Sequence, residues 1–178
     1  MKPFLSIDSI DIYLHPIASG PEARQIRERA AVAAILEGIF GPGTSLEHTD
    51  SGAPVLPRHS ETISVSHSRS TAAIAVDRAG GKPGIDIEAP RPQLMRVAKR
   101  VLSAAEFDVY GTSLDSLAKA WTLKEAAYKC AGIPGLDFRR DIVIPESGSG
   151  FITAAGMRLD ILYSGIVGSE HLALVYRK

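Results

Sequence analysis

The sequence predicts an α+β fold. Four stretches have helical composition or spacing, 22–40, 92–101, 103–111 and 114–131, and the last of them runs eighteen residues without Gly or Pro. Short alternating stretches precede and follow them, and 138–177 reads entirely as strands and turns.

Each element has its own reason. Ile7–Leu14 alternates apolar and polar residues and reads as one half-buried strand. Gly20-Pro21 breaks the chain and can open a helix. Glu22–Phe40 is then a long helix, with Ile26, Ala30, Ala33, Ala34 and Leu36 available for its apolar face and Arg24, Arg27 and Arg29 on or beside the exposed one. The Gly- and Pro-rich stretch 41–57 reads as loop. Ile63 and Val65 alternate with Ser64 and Ser66 in a strand that ends in the polar tip Ser66-His67-Ser68. A histidine at a strand end is ordinary, but adjacent polar donors suit an anion. Thr71–Val76 is a second short strand, and Arg78–Pro83 a turn.

In Gly84-Ile85-Asp86-Ile87-Glu88 the two isoleucines face one way and the two carboxylates the other. Two like charges on one strand face either point into solvent or share a cation. Oxygen-only ligands favour magnesium or manganese over zinc. Pro92–Val101 is an amphipathic helix with Leu94, Val97, Ala98 and Val101 on one stripe and Arg96, Lys99 and Arg100 on another. Ser103 followed by Glu106 has capping-box spacing, so another helix starts there and ends at Gly111. The last helix, Leu114–Ala131, closes on Gly132 and Pro134. Within it Glu125 and Lys129 are four apart and share a face, as a plain surface ion pair would, and Trp121 is one turn earlier. Strands are expected at 141–144, 151–154, 157–163 and 171–176, with turns at 147–150 and 164–169.

Composition bounds the function. The 178 residues are 45% hydrophobic and 22% charged, which is globular composition. Twenty basic and twenty acidic side chains cancel, unlike the strongly basic balance of a nucleic-acid binder. Cys130 is the only cysteine, which excludes an intrachain disulfide and a cysteine-cluster metal site and suits a reducing, cytoplasmic setting. Asp8 and Asp11 interrupt the apolar run Phe4–Leu14, so no signal peptide is expected, and no run is long enough to span a membrane.

Four motifs in order, Gly52-x-Pro54, Ser64-Val65-Ser66-His67-Ser68, Gly84-Ile85-Asp86-Ile87-Glu88 and Trp121-Thr122-Leu123-Lys124-Glu125-Ala126-Ala127-Tyr128-Lys129, resemble the 4′-phosphopantetheinyl transferase superfamily. The segment Arg100–Glu106 resembles the stretch that links the last two motifs there. The resemblance covers roughly 50–130. It implies an enzyme that moves the phosphopantetheine arm of coenzyme A onto a serine hydroxyl of an apo acyl or peptidyl carrier protein and releases adenosine 3′,5′-bisphosphate. It implies magnesium (or manganese) on Asp86, Glu88 and Glu125, and coenzyme A contacts from Ser66, His67, Pro54 and Lys129. Lys129 would touch a phosphate, Lys124 would lie near the metal, and Glu125 or a metal-held water would act as general base. The Asp-x-Glu strand begins only after 83 residues. That placement resembles the surfactin-synthetase-activating class, a pseudo-dimer of two similar α+β halves in one chain, here 1–83 and 84–178, acting as a monomer.

One residue departs from the pattern. Relatives often carry a basic residue between the Gly and Pro of the first motif, where this chain has Ala53. Arg24, Arg27 or Arg29 can supply the missing phosphate contact, Arg24 being the expected one. The stripe Arg96, Lys99 and Arg100 would meet an acidic carrier, with Leu94, Met95 and Leu102 either beside it or in the core. The competing reading is a coenzyme A-binding module of the same fold that has lost transfer.

Overall fold

The computed structural model describes residues 1–178. The chain begins with a hairpin, β1 (Leu5–Ile7) and β2 (Ile10–Pro16). Asp8 turns it with φ of 51°, a left-handed conformation that Asp tolerates better than most residues. The expected single strand at 7–14 is therefore two. Ile7 and Ile10 pair across the two-residue turn and so share a face although they are three apart, and the adjacent polar residues Asp8 and Ser9, where the alternation changes parity, are its only mark in the sequence.

Helix α1 (Arg24–Phe40) follows. It buries Ala31, Val32, Ile35 and Leu36, while Ile26, Ala30 and Ala33 are exposed. The expected face was thus rotated. Alanines line both sides of this helix, and the larger Val32 and Ile35 decide which side turns inward. A minimal hairpin, β3 (Glu47–His48) and β4 (Pro54–Val55), punctuates the 41–57 stretch. Then come β5 (Thr62–His67), β6 (Thr71–Asp77), β7 (Lys82–Glu88), α2 (Pro92–Val101), α3 (Ala104–Tyr110) and α4 (Leu114–Ala131). Ser103 and Glu106 close the capping box of α3 as expected. The chain ends with β8 (Ile142–Val143), β9 (Gly150–Ala154), β10 (Met157–Val167) and β11 (Glu170–Arg177). β10 runs on to Val167, through most of the turn expected at 164–169. Gly165 marks a close approach inside the strand, because any side chain there would meet the Tyr163 ring.

The strands form two antiparallel sheets, β1-β2-β6-β5 and β7-β11-β10-β9-β8. Alternation along the strands makes three layers of core. Ala72, Ile74 and Val76 of β6 pack under α1 with Tyr13, Ile35 and Leu36. The intervening Ala73 and Ala75, with Ile10 and Ile12, meet Ile85, Ile87, Leu172 and Leu174 of the second sheet. Ala173 and Val175 on the far side of β11 pack under α4. Burying the six Ile and Leu side chains between the sheets contributes on the order of 10 kcal/mol, enough to hold the sheets as one body. The chain passes between sheets at Arg78–Gly81, so a division at 83/84 falls inside β7, which pairs with β11 from Lys82 onward.

β5 and β7 lie edge to edge without a backbone ladder. Two serine hydroxyls replace it: Ile85 N donates to Ser64 Oγ (3.0 Å) and Ile87 N to Ser66 Oγ (3.3 Å). Their spacing of two places both on the β7 side of β5 and satisfies amides that the edge would otherwise bury unpaired. No helix is long and apolar enough to cross a membrane.

Candidate active site

The site forms where α4 crosses β7. Gly84 is what brings them together. A Cβ built on it would stand 2.0 Å from the carbonyl oxygen of Ala126 and 2.6 Å from the amide of Cys130, so only glycine allows the helix to rest on the strand. From that contact, Asp86 and Glu88 rise on the helix side of β7, and Glu125 and Lys129 descend from the same face of α4.

The charges are interlocked. Lys129 Nζ donates to Asp86 Oδ1 (2.8 Å) and to the carbonyl of Ile85 (3.0 Å). Ser66 Oγ donates to the same Asp86 oxygen (2.7 Å). Glu88 accepts from Arg91 Nη2 (2.6 Å) and from the amide of Ala89 (3.0 Å). Glu125 has no hydrogen-bond or ion-pair partner. Burial first, then the neighbouring charges of Asp86 and Glu88, push its carboxyl up to about 7, with Lys129 opposing. Burial also raises Asp86, against the pull of Lys129 and Ser66.

No group of three His, Cys, Asp or Glu is drawn close enough to hold an ion as it stands. Lys129 and Arg91 fill the space beside Asp86 and Glu88 with positive charge instead. The donor set still fits a hard cation: it is all carboxylate oxygen, and Glu125, raised first by burial and then by Asp86 and Glu88, has no protein cation of its own.

Beside the charges opens a cavity of about 320 Å³, walled by Val65 and His67 of β5, by Pro54 of the β3–β4 hairpin, and by Tyr128, Lys129, Ile133 and Pro134 from the end of α4. A wider groove of about 830 Å³ shares Leu46, His48, Val65 and His67 with it and continues along α1 past Gln25, Glu28 and Arg29. Pro54, His67 and Lys129 therefore line one cavity.

Three expectations need correcting. Ser66 does not face the cavity, because on β5 the odd residues Val65 and His67 do; its hydroxyl is spent on Asp86 and Ile87. Lys124 does not reach the carboxylates. Successive helix residues are about 100° apart, and Lys124 points into the core, onto Glu106 Oε2 (2.8 Å) and the carbonyls of Phe138 (2.7 Å) and Ile142 (2.6 Å). Burial pushes its ammonium below its usual value, with Glu106 opposing. Arg24 pairs with Glu28 and reaches the Ser68 carbonyl (3.5 Å) instead of lining a groove. Arg27 is held by the carbonyls of Glu22 (3.2 Å) and Ala18 (2.7 Å). Arg29 alone of the three lines the wide groove, and it has no protein partner.

Two residues escaped the sequence reading. Glu28, buried in α1, approaches His67 Nδ1 (3.4 Å) and backs it at the cavity rim. Arg91, three residues after Glu88, neutralises it. One acid among the arginines of α1 carries no signal for the first, and the second pairs across the turn between β7 and α2, where neither strand nor helix spacing applies. On α2, Leu94 and Leu102 are core, while Met95, Arg96 and Arg100 are exposed. Cys130 is buried, its thiol pushed up to about 12 by burial and donated to the carbonyl of Lys82 (3.1 Å), so it is chemically inert.

Residues 82–171, about half of the chain, match the family model of the 4'-phosphopantetheinyl transferase superfamily. The match opens at β7, closes at the start of β11 and takes in Asp86, Glu88, Glu125 and Lys129. No curated protein matches the chain.

Proposed function

The chain belongs to the 4′-phosphopantetheinyl transferase superfamily, and from that premise we propose that it transfers the phosphopantetheine arm of coenzyme A to a serine hydroxyl of an apo acyl or peptidyl carrier protein. The leaving group is adenosine 3′,5′-bisphosphate. The observation that carries the reading is the constellation of Asp86, Glu88, Glu125 and Lys129 beside a cavity that His67 and Pro54 complete.

Asp86, Glu88 and Glu125 would hold magnesium or manganese, which when bound neutralises pyrophosphate oxygens. The chain's own residues supply the rest. Lys129 and His67 present positive charge and a donor to the pyrophosphate from opposite walls of the cavity. Arg29 takes the place of the basic residue missing at Ala53, with its guanidinium uncommitted on the groove that continues from the cavity. The serine oxygen attacks the phosphorus that bears the pantetheine arm, the new O–P bond forms as the bond to the nucleotide phosphate breaks, and the serine proton leaves to Glu125 directly or through a water. Ser66 holds Asp86 in place.

The two sheets, each covered by one long helix, support assignment to the surfactin-synthetase-activating class. In that reading the chain before and after the Arg78–Gly81 turn forms the two halves of a pseudo-dimer, coenzyme A lies between them, and one chain suffices as a cytoplasmic monomer. The exposed Arg96, Lys99 and Arg100 of α2, with Met95 beside them, would receive an acidic carrier helix.

Incubating the protein with magnesium, coenzyme A and a panel of apo carriers, then weighing each carrier intact, tests the reaction. A gain of one phosphopantetheine on the serine supports it. No gain on any carrier, with coenzyme A binding intact by calorimetry, replaces it with the binding-module reading.

A further inference from the structure

Lys124 is wholly buried, and its ammonium is fully used: Glu106 Oε2, the Phe138 carbonyl and the Ile142 carbonyl take one donor each. Glu106 is equally committed, accepting from the amides of Ser103 (2.8 Å) and Ile144 (3.0 Å) as well. A buried ion pair of this kind is costly to form and is weak grounds for stability by itself. What it ties together is therefore the question.

It ties the wall of the cavity. Residues 132–134 form that wall, and beyond its own Pro134-Gly135 turn the chain from Ile133 to Leu136 makes no hydrogen bond to the rest of the protein. It is pinned at one end by the amide of Gly132 on the Tyr128 carbonyl (3.1 Å). At the other end the Asp137 amide donates to Asp141 Oδ2 (2.8 Å), the Asp141 amide returns to the Asp137 carbonyl (2.8 Å), and Lys124 ties this turn to α4 by gripping Phe138 O. The Phe138 ring then packs against Trp121 (6.0 Å) and Tyr128 (5.4 Å), which stand three residues before and four after Lys124 on α4. Tyr128 itself lines the cavity.

We propose that Lys124 is a positioning residue: seated on Glu106, it clamps the far end of the 132–138 segment and so fixes the cavity wall opposite His67. It touches no reacting atom. The kinetic part of this inference rests on the transferase reading.

The test compares Lys124→Met with the double variant Glu106→Gln/Lys124→Met. The single variant leaves Glu106 buried without its cation and melts at least about 8 °C below wild type. The double variant regains much of that loss. In it the coenzyme A KM rises about tenfold, kcat stays within about threefold, and the carrier KM is unchanged, as expected when a binding wall is loosened without touching the chemistry. A hundredfold fall in kcat with the coenzyme A KM unmoved would overturn the inference in favour of contact with the reacting atoms. Unchanged kinetics would overturn it in favour of a purely structural pair. Should the double variant fail to fold, Phe138→Leu replaces it and is expected to raise the coenzyme A KM alike; an unmoved KM there also overturns the clamp. Wild-type protein that transfers nothing in the same assay defeats the transferase reading instead. Coenzyme A Kd values of wild type and Phe138→Leu by calorimetry then decide the clamp separately.

Discussion

Asp86 and Glu88 each have a cation at hydrogen-bonding distance, and Glu125 has none. Removing Lys129 should therefore unbalance the cluster in a measurable way. Lys129→Met leaves Asp86 buried with only Ser66, and magnesium should raise the melting temperature of this variant by several degrees, more than it does for wild type. No shift in either protein would contradict the metal assignment. Asp77 offers a pH readout. Burial opposes its charge, but bonds from Ser9 and from the amides of Ala79 and Gly81, with Tyr176, win and hold its carboxyl below the usual 3.8. The folded state thus binds this proton less readily than the unfolded one. Its contribution is full above the unfolded value and is lost as pH falls through the depressed one. Urea midpoints should then fall more steeply on acidification below about pH 4 for wild type than for Asp77→Asn. At this scale the acids and Lys129 were legible, because strand and helix periods fix which residues share a face. Ser66 and Lys124 were not. Their neighbours in sequence look equally polar, and only packing shows that Ser66 faces β7 and that Glu106 arrives from another helix to receive Lys124.

The contact of α4 on β7 has no slack at Gly84. Gly84→Ala drives a methyl into backbone atoms of Ala126 and Cys130, so the helix must lift. The expected cost is about 1–3 kcal/mol by urea unfolding, together with a loss of transfer larger than the stability loss explains, because Glu125 and Lys129 move with the helix. Unaltered kinetics in Gly84→Ala would show that the site tolerates the shift. For α2, Arg96→Glu should raise the carrier KM severalfold and leave coenzyme A affinity alone, measured by carrier-dependent kinetics beside calorimetry; equal carrier kinetics would remove α2 from the docking surface. Helices α2, α3 and α4 were readable because caps, glycines and a charged stripe mark their ends and faces. α1 was readable in extent but not in orientation, since its alanines suit either side. The β1–β2 turn leaves only a small mark, the parity shift at Asp8-Ser9 between the paired Ile7 and Ile10, with no Gly or Pro to announce it.

The whole molecule is two sheets fastened by an apolar layer and by Ser64 and Ser66, with the cavity walled from both sides. The sequence located the Asp-x-Glu strand and the Lys-Glu helix but not the partnership between β5 and β7, because a hydroxyl standing in for a backbone acceptor has no pattern distinct from any strand serine. Within this arrangement the account's central claim is that the buried carboxylate on β7 serves phosphopantetheine transfer. The most direct measurement is the rate of carrier mass gain, with magnesium and coenzyme A, for wild type beside Asp86→Asn, both checked for a native unfolding transition. The account predicts that wild type adds one phosphopantetheine to the carrier serine and that Asp86→Asn is at least about 100-fold slower. Equal rates for the two proteins would contradict it.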